Sequence, residues 1–207
     1  MKHLPVHRGF PVPWFVHWLE NGEPEFRIIG RGKMSRALNE KLCWVCGNPF
    51  TNRRKAFVIG PMCAVNRISA EPPCHEDCAT FAAMGCPFLA RPNMVRRERN
   101  LPDEIVMQEG HLPHNPGVAL VWHTRSFEPF QANPGVLMQI GDPTDVEWYC
   151  QGRVATREEC LEAIDRGASK LMETASQDAE AMGISTEERE AEIQRNIQWV
   201  INNLVPR

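Results

Sequence analysis

"KLCWVCGNPF" (residues 41–50) sets Cys43 and Cys46 three positions apart and follows them with Gly47, Asn48 and Pro49. A redox pair, half a disulfide framework and half a metal site all share that spacing. A redox pair belongs between a strand and a helix of a βαβ unit, whereas here turn residues follow at once. The chain carries eight cysteines, and since its first residues do not read as a secretion signal a reducing compartment is the expectation. Clustered thiols there bind metal more often than they form disulfides. The stretch reads as a zinc knuckle.

The other half of the site is sought in "PPCHEDCATFAAMGC" (72–86), where His75 and Cys78 stand at i, i+3 at the start of a helix. Residues so spaced on a first turn point the same way. Cys43, Cys46, His75 and Cys78 then make a Cys₃His set, which fills the tetrahedral shell of Zn²⁺ and leaves no open position, as in structural sites. Cys74, next to His75, is the competing fourth ligand. Cys63 and Cys86 lie in apolar surroundings, as do Cys150 and Cys160, and all four are expected to be core thiols.

The segment between the two halves shows why an ion is needed. Residues 47–73 are rich in turn residues and basic, and "KAFVIG" (55–60) is the one strand they suggest. So little apolar surface needs another source of stability, and a structural zinc supplies about 10 to 16 kcal/mol. The expected module is treble-clef-like: knuckle, irregular hairpin, then a helix whose first turn closes the site. One structural Zn²⁺ per chain is expected.

Upstream, "WFVHWLENGEPEFRII" (14–29) has two β-branched and aromatic runs around Asn21-Gly22, a β-hairpin signal. A short helix is expected after Ser35. Downstream, basic and proline-interrupted residues 86–104 suggest a boundary near residue 100, dividing the chain into 1–100 and 101–207. Beyond it "GVALVWHTRSF" (117–127), "GVLMQI" (135–140) and "VEWYCQGRVA" (146–155) read as strands, with "EPFQANP" (128–134) and "GDPTD" (141–145) as turns. Their simplest pairing is a three-stranded antiparallel meander. Capping boxes at Thr156/Glu159 and Ser185/Glu188 open two amphipathic helices separated by Gly183. The expected fold class is α+β: a treble-clef-like zinc module, then a three-stranded sheet packed with a C-terminal αα-hairpin.

With 43% hydrophobic and 24% charged residues the composition is globular. The early apolar run "PVPWFVHWL" (11–19) is too short to span a bilayer, so the expectation is a cytoplasmic protein without membrane contact. No P-loop, G-x-G-x-x-G, H-E-x-x-H or G-x-S-x-G occurs, and no small-molecule cofactor is expected. Charge is divided unevenly. Residues 31–100 hold twelve basic and five acidic groups, and residues 101–207 hold eight basic and eighteen acidic ones.

The runs "LCWVCG" (42–47), "AFVIGPMCAVNRISAEPP" (56–73), "HEDCA" (75–79), "CPFL" (86–89) and "EWYCQGRVATREECLEAIDRG" (147–167) resemble a Cys-rich family encoded by bacteriophages, prophages and bacterial, notably actinobacterial, genomes. The resemblance covers nearly the whole chain and brings no activity with it. It implies that the His and Cys ligands fall on His75 and Cys78, because the position of Cys74 is often serine in the family. It also implies a protein that acts in the cytoplasm of an infected or lysogenic bacterium.

Three functions compete on the sequence. Arg53, Arg54 and Lys55 on the module's loop, with Arg96 and Arg97 after its helix, suit the phosphates of nucleic acid. The acidic half, with Asp142, Asp145, Glu147, Glu158, Glu159 and Glu162, suits a host or phage protein. The alternative is a zinc-dependent nuclease or other metal hydrolase using His111, His114, Asn115 or His123. Those histidines follow the zinc helix instead of preceding it, and a closed shell leaves no position for water. Non-catalytic binding is therefore the expectation.

Overall fold

A computed structural model describes residues 3–91, 115–132 and 135–207. Two short hairpins come first, β1 (Val6–His7) with β2 (Phe10–Pro11) and β3 (Val16–Trp18) with β4 (Pro24–Ile29), followed by α1 (Lys33–Asn39). The β3–β4 turn is at Asn21-Gly22, where the Asn21 side chain accepts the Glu23 N–H. Then come β5 (Lys55–Ile59), α2 (Pro61–Asn66), β6 (Ile68–Ser69) and α3 (Glu76–Gly85). The remainder is β7 (Ala119–Thr124), β8 (Phe127–Ala132), β9 (Gly135–Ile140), β10 (Pro143–Cys150), β11 (Arg153–Val154), α4 (Arg157–Met182) and α5 (Thr186–Asn203). The fold is mixed α+β with antiparallel sheets.

The pairing of the later strands differs from a meander. β7 pairs with β10, and β9 pairs instead with β8 and β6. The two ladders meet in one register at the bend, where Thr124 faces Pro143 and Phe127 faces Ile140, and the β7–β10 pairing then shifts by one residue between Pro143 and Asp145. β7–β8 and β9–β10 are thus the two arms of one long ribbon, bent at residues 125–126 and 141–142. "EPFQANP", expected to be a turn, is mostly strand β8. Its Pro129 is tolerated because β8 is an edge strand, where a missing N–H breaks no ladder.

The bend is clamped by specific groups. The Gly141 N–H donates to the Ser126 carbonyl at 3.0 Å, the Trp122 indole donates to the Gly141 carbonyl, and the Thr124 hydroxyl donates to Asp142 O. A Cβ at position 141 would lie 2.3 Å from Ser126 Oγ and 2.6 Å from its carbonyl oxygen. Only glycine lets the two arms come this close.

The four-stranded sheet runs β11-β10-β7-β5. β7 is buried along its whole length, as its unbroken apolar start "ALVW" suits a strand covered on both faces. Leu120 and Trp122 face a core shared with Phe57, Trp148, Met138, Ile140 and the inner sides of α2, α4 and α5. Ala119 and Val121 face the knuckle and α3, with Ala56 and Tyr149. Because β5 precedes residue 100 and β7 follows it, one sheet takes strands from both proposed halves of the chain.

Both C-terminal helices start where expected. Thr156 and Glu159 form a complete capping box on α4, and Gly183 is its C-cap. On α5 the Ser185 side chain accepts the Glu188 N–H. α2 has no counterpart in the sequence reading: a single six-residue helix started by Pro61 is too short to show a periodic face.

Candidate metal centre

The knuckle is a tight backbone loop. Cys43 N–H donates to Asn48 O, Gly47 N–H to Cys43 O and Phe50 N–H to Lys41 O. Gly47 takes φ +74°, and the Trp14 ring lies where its Cβ would be, at 2.4 Å. The second half is brought in by β5, whose Ala56 exchanges two hydrogen bonds with Cys74 at 2.9 and 2.7 Å. Trp44 N–H donates to Pro73 O, so residues 73–75 lie along the knuckle. α3 then starts with His75 as its extended N-cap and Cys78 in its first turn.

These elements bring Cys43, Cys46, His75 and Cys78 together, with their ligand atoms all within 4.8 Å of one another. His75 Nδ1 is 3.4 Å from Cys46 Sγ. All eight cysteines are free thiols. The four side chains sit close enough to bind a metal ion. Three sulfurs and one imidazole match a thiophilic, four-coordinate ion. Cys43 Sγ also accepts the backbone N–H of His75 at 3.3 Å and of Cys46 at 3.5 Å, which offsets thiolate charge.

The thiols differ in the direction in which their surroundings shift them. Hydrogen bonds from the Cys74 and Cys78 thiols draw Cys43 far below the ordinary thiol range. The same bonds, together with burial, push Cys74 and Cys78 up. Burial raises Cys46. Cys74 is outside the set of four, beside Cys43. Cys150 and Cys160 are buried in the main core and Cys63 packs against it, while Cys86 is the half-buried C-cap of α3.

The expected contact residues divide. Arg53 is exposed and Lys55 Nζ sits over the Phe50 ring, 5.1 Å from its centre. Arg54 instead turns to Glu76 at 3.7 Å. Arg96 and Arg97 lie outside the described residues, as do His111 and His114. Lys41 stands near Lys55, whose pKa is lowered first by desolvation and then by the charges of Lys41 and Arg53. Lys33 and Arg36 cover the Trp14 ring at 4.1 and 5.5 Å. Lys33, Arg36 and Lys41 were missed because they belong to no run of charge; their closeness in sequence to Cys43 was the available signal.

The remaining polar candidates have partners of their own. His123 Nε2 is 2.8 Å from Glu147 and its Nδ1 3.3 Å from Glu76. The Tyr149 hydroxyl donates to Glu147, and desolvation, then this bond, pushes Tyr149 up to about 12. The Asn115 amide donates to the carbonyls of Phe88, Leu89 and Arg91, anchoring the chain after α3. Among the described residues no helix is long and apolar enough to cross a membrane. No protein-family model, curated protein or solved structure matches the chain.

Proposed function

We propose that the chain is a non-catalytic, zinc-stabilised binding protein of phage or prophage type, working in the bacterial cytoplasm, and that its metal module engages the phosphates of nucleic acid. The observation that carries this reading is the closeness of Lys41 and Arg53 to Lys55, whose ammonium lies over the Phe50 ring that packs against His75, with no carboxylate paired to any of the three among the described residues. Fixed cations on a rigid scaffold neutralise phosphates and release counterions. Arg54, held by Glu76, contributes less.

Zinc is the ion that the donor set suits best, and the knuckle, β5 and α3 follow the order of a treble clef. The four-ligand set supports a structural centre over a nuclease, since a hydrolytic ion keeps a position for water. A host or phage protein is the second reading. It is favoured by the exposed carboxylates Asp145, Glu158 and Glu162, which have no ion-pair partner among the described residues.

Two measurements test the proposal. Elemental analysis of protein purified without added metal should find one zinc per chain. A gel-shift titration with duplex and single-stranded DNA at about 50 and 200 mM salt should show affinity falling steeply with salt. Replacing Lys41, Arg53 and Lys55 with alanine should flatten the log–log salt slope by about 0.9 for each lost phosphate contact. Absence of retardation at the lower salt would remove the nucleic-acid reading and leave the protein partner.

A further inference from the structure

The outer half of the β3–β4 hairpin presents two aromatic rings to solvent. The hairpin is anchored by the buried Val16 and Ile28, whereas Trp18 and Phe26 are each 43% exposed. Trp18 pairs with Pro24, and Phe26, two residues further along β4, stands on the same side of that strand. No third strand joins the pair. Among the described residues neither ring is stacked on another ring or covered by a cation. Single exposed apolar side chains are ordinary, but two neighbouring rings beside a basic surface fit a ligand with flat faces and negative charge.

The basic surface begins where the hairpin ends. Arg31 follows β4 and is exposed. The Lys33 ammonium lies 4.1 Å from the centre of the Trp14 ring, and that ring packs against Gly47 of the knuckle. At the end of the knuckle the Phe50 N–H donates to the Lys41 carbonyl, and Lys55 Nζ lies over Phe50 and donates to the Arg53 carbonyl at 3.4 Å. Arg31, Lys33, Lys41, Arg53 and Lys55 have no carboxylate partner among the described residues, unlike Arg36 and Arg54, which pair with Glu40 and Glu76. On the hairpin itself Glu25 is neutralised by Arg27, and Glu23 is 3.9 Å from Arg8.

We infer that this surface takes an unpaired nucleic-acid strand, its bases stacking on Trp18 and Phe26 while its phosphates lie along Arg31, Lys33 and the group of Lys41, Arg53 and Lys55. The inference rests on the proposed nucleic-acid reading and narrows it to one form of the ligand. Cations alone would accept duplex and single strand alike, since both carry phosphates. An exposed ring gains nothing from a duplex, whose bases are already stacked on one another, but it can stack on any base that is unpaired. Because every base has a flat face, binding should depend weakly on base identity. Deoxyribose and ribose strands offer the same faces and the same phosphates.

Fluorescence anisotropy with the zinc-supplemented full-length chain, labelled oligonucleotides of about 15 nucleotides and about 50 mM salt decides the matter. Single-stranded DNA or RNA should bind at least about tenfold more tightly than the duplex of the same sequence, and the tighter of the two single strands identifies the sugar. The double variant Trp18→Ala/Phe26→Ala should weaken single-strand binding by at least about tenfold and duplex binding by less than about twofold. Replacing Lys41, Arg53 and Lys55 with alanine should weaken both forms. Equal affinity for the two forms, or a single-strand affinity unchanged in Trp18→Ala/Phe26→Ala, overturns the inference and leaves phosphate binding by the metal module standing. Failure of every oligonucleotide to bind overturns both. If circular dichroism shows the double variant to be unfolded, Trp18→Phe takes its place. Saturation with single strand should then quench part of the native tryptophan emission, and that part should be missing from Trp18→Phe; identical quenching in the two proteins overturns the inference.

Discussion

At Gly47 a backbone requirement and a packing requirement coincide. The residue is in the left-handed region at φ +74°, and Trp14 occupies the space of a Cβ. Gly47→Ala must accept both a strained backbone, about 1 kcal/mol or more, and overpacking of about 1 to 3 kcal/mol. Urea unfolding of the metal-loaded variant should show a loss of about 2 to 4 kcal/mol. Glu159 gives a prediction in pH. The Arg153 guanidinium, then the Thr156 N–H of the capping box, hold its carboxyl at about 2, below the usual 4.5. A depressed carboxyl stabilises the fold above its unfolded value, and that contribution is lost as pH falls toward 2. The stability gap between the native chain and Glu159→Gln should be present near pH 6 and close between about pH 4.5 and 2, as followed by thermal melts. The residues of this scale that could be read from sequence were those with rigid spacing rules: the C-x2-C pair, His75 and Cys78, and Thr156 with Glu159. Lys41 and Lys33 obey no such rule. Their place on the module wall depends on how α1 and the knuckle fold against Trp14, and the pairing of Arg54 with Glu76 depends on where α3 begins.

Among the elements, the bent ribbon is the one most dependent on a single side-chain-free position. A methyl group at 141 meets the backbone of Ser126, which cannot rotate away. Gly141→Ala should therefore destabilise by about 1 to 3 kcal/mol in denaturant titration, with near-ultraviolet changes reporting on Trp122, which donates to the Gly141 carbonyl. The strands at 119–124, 135–140 and 143–150 were legible from β-branched and aromatic runs, and α4 and α5 from their stripes and caps. Their pairing was not legible. Pro129 and Asn133 carry turn chemistry, and nothing local distinguishes a turn from an edge strand that needs no N–H at one position. Short elements such as α2 and β6 are also invisible, because six or two residues hold no full period; what specifies them is contact with β9 and α4.

For the molecule as a whole, the decisive fact is that β5, enclosed between the two halves of the metal centre, is also the edge of the main sheet. Fragments 1–100 and 101–207 should each fail to give dispersed amide spectra when expressed alone, since the cut leaves β7 without a partner on one side and β5 without any sheet. Chelation of the ion should lower the melting point of the whole chain in one transition, with hydrogen-exchange protection lost in β7 as well as in β5. Composition revealed the uneven charge but could not show this sharing, which is set by pairs such as Ile59 with Leu120, far apart in the chain. Timing follows from the same arrangement. Joining β5 to β7 closes a large loop, an entropic barrier that slows any search for register. An ion that clips Cys46 to His75 first closes the shorter loop that carries β5 before that search begins. Refolding started with zinc present should thus outpace refolding of the stripped chain, with the gain seen in the rate of β7 burial and not in its final extent.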